Sequence, residues 1–112
     1  MSALLSTHTA VLVVDPSSYR EDLMARLREA GIVAACAAAS ETARVYIRNL
    51  RFDLVLVDLD EDQAAARRLL DEVGRWQPGA VRLTCTRTGT SVRGFPLLRK
   101  PFGVEELLRY AA

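Results

Sequence analysis

The sequence predicts a single α/β domain built on a parallel sheet. Short apolar runs of strand length alternate with amphipathic stretches of helix length. Most of the runs are rich in Val, Leu or Ile without strict polar alternation, as strands buried on both faces are. Alternating strands and helices joined by right-handed crossovers cover such a sheet on both sides.

Residues 10–14 form the first strand. In SSYREDLMARLREAG, Tyr19, Leu23, Leu27 and Ala30 share one helical face, Ser18 and Glu21 are spaced as a capping box, and Gly31 suits a C-terminal stop. Residues 32–37 are the second strand. SETARVYIRNL then reads as a helix capped by Ser40, with Ala43, Tyr46, Ile47 and Leu50 at helical spacing. Residues 54–57 are the third strand. A helix follows from Asp62 to Trp76, turning Ala66, Leu69, Leu70 and Val73 inward before Pro78-Gly79 ends it. Residues 80–85 are the fourth strand.

The rhythm then breaks. TRTGTSVRG holds two glycines and three threonines and too few apolar positions for a packed helix, so a loop, or one helical turn, is expected. Residues 95–99 are a weaker strand, suited to a sheet edge because Pro96 cannot donate to a ladder. Residues 104–110 make a short last helix.

A chain of 112 residues, half of them apolar, is enough for one core and too short for two. The formal charge of +1, from 15 basic and 14 acidic residues, provides no global field to draw nucleic acid or a membrane surface. No apolar run approaches the length of a membrane span, which points to a cytoplasmic protein. Residues 1–9, with His8, read as a flexible leader ahead of a domain over 10–112. Cys36 and Cys85 lie apart in apolar runs and read as small core residues. Trp76 reads equally as a core cap or an exposed contact residue. Arg82, Arg87, Arg93 and Arg99 read as solvated charges, with an acidic partner as the alternative.

Ligands of open parallel sheets bind beyond the carboxyl ends of the strands. Strand one ends in Asp15, strand three in Asp58 followed by Leu59-Asp60, strand four in Thr84 or Thr86, and strand five in Lys100. Each has a plain structural reading alone, but together they would bring carboxylates, a hydroxyl and an ammonium to one rim. Lys100 is the most informative, being the only lysine beside fourteen arginines. An ammonium is a compact charge able to enter a small polar site where a guanidinium fork is too broad. The following Pro101 permits a cis bond that redirects the preceding side chain.

In order, VLVVDP, DLVLVDLD, VRLTC and LLRKPF resemble the signature segments of response-regulator receiver domains, over about residues 10–110. The resemblance implies a flavodoxin-like, doubly wound, five-stranded parallel sheet of order 2-1-3-4-5. It implies a non-enzymatic signalling domain of a two-component phosphorelay, with Asp58 as the carboxylate that accepts a phosphoryl group. Asp15, Asp58 and Asp60 would hold Mg²⁺, Asp60 through its backbone carbonyl, and Thr84 and Lys100 would bind the phosphoryl oxygens. The partners implied are a histidine kinase or phosphotransfer protein and a downstream protein or output domain, with a homodimer also open.

The sequence departs from that pattern in four places, one of them the loop after Asp58, which reads EDQAAA without the usual proline and glycine. Pro16 replaces the second acid after strand one, so Mg²⁺ binding is expected to be weak. Thr84 and Lys100 are 16 positions apart, which leaves the fourth helix reduced or missing. The aromatic expected three places before the lysine, on the output face, is Leu97, with Phe95 nearby as a substitute. Pro16 and the short fourth unit favour the alternative of a pseudo-receiver that binds partners without phosphorylation. Asp58, Thr84 and Lys100 favour the phosphoacceptor, and Leu97 puts the usual switch in question. Asp58-Leu59-Asp60 also resembles the nucleophile of haloacid-dehalogenase-type phosphatases, but the Gly-Thr usual there is missing. A flavin-binding reading fails for want of a glycine- and threonine-rich loop after strand one.

Overall fold

A computed structural model describes residues 9–111. The expected leader, His8 included, lies outside the described residues except for Thr9, which is buried. The elements run β1 (Ala10–Val14), α1 (Tyr19–Glu29), β2 (Val33–Ala37), α2 (Ser40–Asn49), β3 (Leu54–Asp58), α3 (Gln63–Trp76), β4 (Val81–Thr86), β5 (Leu97–Arg99) and α4 (Val104–Leu108). All sheet pairings are parallel and the strand order is β2-β1-β3-β4-β5. This is the flavodoxin-like arrangement that the sequence implies.

The period of two along each strand divides the core. Leu12, Val14, Val55 and Val57 pack with α2 and α3, whereas Val11, Val13, Leu54, Leu56 and Leu83 pack with α1 and α4. Each fully buried leucine contributes about 1.5 to 3 kcal/mol. Ala66, Leu69, Leu70 and Val73 of α3 are buried as their spacing requires.

Asp62 caps α3 by accepting from the Ala65 N–H at 2.9 Å, but the two serine caps do not form. Ser18 already has helical angles (φ −63°, ψ −18°), so its hydroxyl does not turn back on the helix, and Ser40 is the first residue inside α2. Ala30 and Leu50 are exposed, and Met24 takes the buried place on α1.

Among the described residues, no helix lies between β4 and β5. The loop itself closes that face, with Val92 buried and Phe95 and Leu97 packed against the α2–α3 core. Arg82 fills the remaining gap: its guanidinium lies 5.1 Å from the Phe95 ring and donates to the Leu70 carbonyl at 3.1 Å. The strand expected from residue 95 begins only at Leu97, because the Pro96 carbonyl and the proline's missing N–H place it at the ladder's entrance. Trp76 is 54% exposed and stacks with Arg48 at 5.0 Å, which resolves its two readings in favour of the surface. Among the described residues, no helix is long and apolar enough to cross a membrane.

Candidate functional site

The register aligns the strand ends. Asp58 lies opposite Cys85, and Thr86 opposite Arg99, one residue before Lys100. Alternation then decides which side chains meet. Asp15 continues the row of Val11 and Val13, Asp58 that of Leu54 and Leu56, Cys85 follows Leu83, and Lys100 follows Leu98. All four lie on the α1–α4 side of the sheet at its carboxyl rim.

The Lys100 ammonium sits between the two acids, 2.7 Å from Asp15 Oδ2 and 2.8 Å from Asp58 Oδ1, and all three side chains are at most 3% exposed. The Lys100–Pro101 bond is cis. Asp15 Oδ1 accepts from the N–H and hydroxyl of Ser17, at 2.8 and 2.7 Å, which shapes the turn after β1. Asp58 Oδ2 accepts from the Asp60 N–H at 3.2 Å. Burial raises the Asp58 carboxyl above its ordinary value; Lys100 opposes that shift and Asp15 adds to it. Burial would lower Lys100, but its bonds to Asp15 and Asp58 leave its pKa raised. The Cys85 thiol, which burial pushes up, completes a buried group with Asp15 and Asp58 whose ligand atoms lie within 4.8 Å of one another.

Tyr19 and Arg26 hold this arrangement from below. The Tyr19 hydroxyl donates to the Phe102 carbonyl (3.2 Å) and accepts from the Phe102 N–H (3.0 Å) and from Arg26 (3.0 Å). Arg26 also donates to the Phe102 carbonyl at 2.6 Å. The Tyr19 ring lies 5.3 Å beneath the Lys100 ammonium. Sequence reasoning placed Tyr19 on an apolar helix face and did not find this role; a phenol at the start of a helix just after the Asp15 turn was the available signal.

Thr84 does not reach the pocket. It pairs with Val57 and therefore faces the α2–α3 side, where its hydroxyl donates to the Pro96 carbonyl at 2.7 Å. The residue beside Asp58 is Cys85, one position later. Asp60 comes to the rim, but its carboxylate grips the loop after β4: it accepts from the hydroxyls of Thr86 and Thr88 and, at 2.7 Å, from the Arg87 N–H. Leu97 and Phe95 share one side, the α2–α3 core, away from Asp58.

Burial alone would raise the Asp60 carboxyl, but those three bonds outweigh it and leave it lowered. A carboxylate held low in the folded chain stabilises it above the unfolded value, and that stability is lost as pH falls through the folded value. Asp60→Ala is therefore expected to speed amide exchange at Arg87 about tenfold at neutral pH, with the difference from wild type shrinking as acid protonates Asp60. Exchange measured by NMR across that range checks this.

No protein-family model and no curated protein matches the sequence. Solved structures do match. The Vibrio cholerae chemotaxis protein CheY4 is 25% identical with a TM-score of 0.77, over 90% of this chain and 93% of that one. A CheY-like response regulator receiver domain protein from Methanospirillum hungatei JF-1 is 22% identical with a TM-score of 0.76, over 90% and 88%. A Burkholderia pseudomallei response regulator, solved with a phosphorylated aspartic acid, calcium ion and citrate, is 23% identical with a TM-score of 0.77, over 93% of this chain and 66% of that one.

The fold is that of CheY-like response-regulator receiver domains. Within this receiver fold, the acids and the lysine meet at the carboxyl rim, and the loop 87–96 stands where the α/β rhythm calls for a helix. A shallow opening of ≈ 230 Å³ leads from Asp58 and Lys100 past Pro16, Asp60, Glu61 and Arg87 to solvent.

Proposed function

We propose that this chain is a phosphorelay receiver that accepts a phosphoryl group on Asp58. The observation that carries the reading is the single buried ammonium shared by two carboxylates at the carboxyl rim of the sheet. Asp58 is the nucleophile because it lies at the opening, whereas Asp15 is held by Ser17 behind it. Phosphoryl transfer needs an in-line nucleophile and neutralisation of spreading negative charge. Lys100 supplies part of that charge and, once Asp58 carries the phosphoryl group, is free to pair with a phosphoryl oxygen. The donor would be a histidine kinase or phosphotransfer protein in the cytoplasm, and the consequence a changed interface with a downstream protein or output domain.

The donor set fits a weakly held Mg²⁺. Asp15 Oδ2 and Asp58 Oδ1 turn towards a common space, as hard oxygen ligands should. Pro16 removes a third carboxylate, Cys85 adds a soft atom, and Lys100 already sits on both oxygens. When bound, the ion would neutralise phosphoryl charge at this rim; Asp15 and Asp58 would hold it.

The pseudo-receiver reading is favoured by Pro16 in place of an acid and by the absence of a helix between β4 and β5 among the described residues. Treating the protein with acetyl phosphate and Mg²⁺ and measuring its intact mass separates the readings. A phosphoryl mass gain is expected in wild type and none in Asp58→Asn. No gain in wild type supports the pseudo-receiver, and steady release of inorganic phosphate a phosphatase.

A further inference from the structure

The charge at the rim does not balance for a phosphoryl group. Four acids, Asp15, Asp58, Asp60 and Glu61, stand at this rim against the single ammonium of Lys100, and an acyl phosphate on Asp58 replaces that carboxylate's one negative charge with two. Pro16 weakens the remaining source, a divalent ion. One other cation lines the opening: Arg87, which is exposed. Among the described residues its guanidinium makes no ion pair.

Its backbone, by contrast, is fixed. The Arg87 N–H donates to Asp60 Oδ2 at 2.7 Å, and the following turn is tied to the Thr86 hydroxyl by the N–H groups of Thr88 and Gly89, both at 3.1 Å. Gly89 supplies the positive φ of 94° that this turn requires. A long cationic side chain is thus anchored at the rim with its head uncommitted. A guanidinium fork suits two oxygens of one phosphoryl group, whereas the narrow interior suits the ammonium.

We propose that Arg87 is the second cation of the pocket, closing over the phosphoryl group on Asp58 so that the acyl phosphate forms without a tightly held divalent ion. The inference rests on the phosphoacceptor reading above. In the step, Asp58 Oδ forms a bond to phosphorus as the bond from phosphorus to the acetyl oxygen of acetyl phosphate breaks. The electron pair leaves with acetate, and no proton is transferred. Lys100 holds one phosphoryl oxygen from within and Arg87 the outward pair.

Acetyl phosphate labelling of the full chain, followed by intact mass in EDTA and in Mg²⁺, tests this. Wild type is expected to label in both conditions. Arg87→Gln should label about tenfold or more slowly in EDTA, with Mg²⁺ restoring most of the rate, and Arg87→Lys should keep part of it. Since Arg87 is exposed, an unchanged thermal midpoint separates this loss from misfolding. Equal rates for wild type and Arg87→Gln in EDTA, or a wild type that labels only with Mg²⁺, would overturn the inference and leave the phosphoacceptor reading standing. A wild type that never labels ends both.

Discussion

Lys100→Met is expected to lower the unfolding free energy at neutral pH by about 3 to 5 kcal/mol, because removing one partner leaves buried charge uncompensated. Asp15 and Asp58 would then face each other with no cation between them, at side-chain exposures of 1% and 3%. The methionine matches the stem of the lysine, so packing changes little and the loss is electrostatic. The pH dependence follows from the sign. In the variant the Asp58 carboxyl, raised by burial and by the neighbouring Asp15, loses the opposing Lys100 and rises further, and a carboxyl raised in the folded state loses stability as pH rises. The deficit against wild type is therefore largest at neutral pH and shrinks on acidification. Urea unfolding of both proteins across that range measures it; a deficit independent of pH would contradict the electrostatic account.

Phe102→Ala is expected to cost a similar amount, about 3 to 5 kcal/mol. The ring is 3% exposed and packs at 5.4 Å from Tyr19 within the α1–α4 core. It also anchors the segment after Lys100, whose backbone is gripped by Tyr19 and Arg26. Loss of the ring should therefore loosen the lysine as well as the core. The check is a pair of measurements: a lower urea midpoint, and slower acetyl phosphate labelling under conditions where the variant remains folded.

What could be read in advance follows the physics of each signal. Hydrophobic runs and helical spacing located the strands and helices; burial on both faces marks β1, β3 and β4 most strongly, whereas β2 and β5, at the sheet edges, are only partly buried. Asp15, Asp58 and Lys100 were legible because they fall together at the carboxyl ends of the strands, where ligands of parallel sheets bind, and Lys100 stands out against fourteen arginines. Thr84 was misplaced by one position. The period of two turns a one-residue error into the opposite face, and the pocket position belongs to Cys85. A thiol in an apolar run looks like a small core residue, so composition gave it no distinction from Cys36. The serine caps failed because a capping residue also needs extended backbone angles, which sequence spacing does not report. The role of Arg82 in closing the face left without a helix was hidden because its partners, Leu70 and Phe95, lie on separate elements.

Borohydride reduction of acetyl phosphate-treated protein, followed by peptide mapping, tests the central claim at a single atom. An acyl phosphate on an aspartate is reduced to the alcohol of homoserine, while a free carboxylate is untouched. Homoserine at position 58 and at no other aspartate is the result expected here. Unreduced aspartate at 58, or reduction at Asp15 or Asp60 in its place, would contradict it.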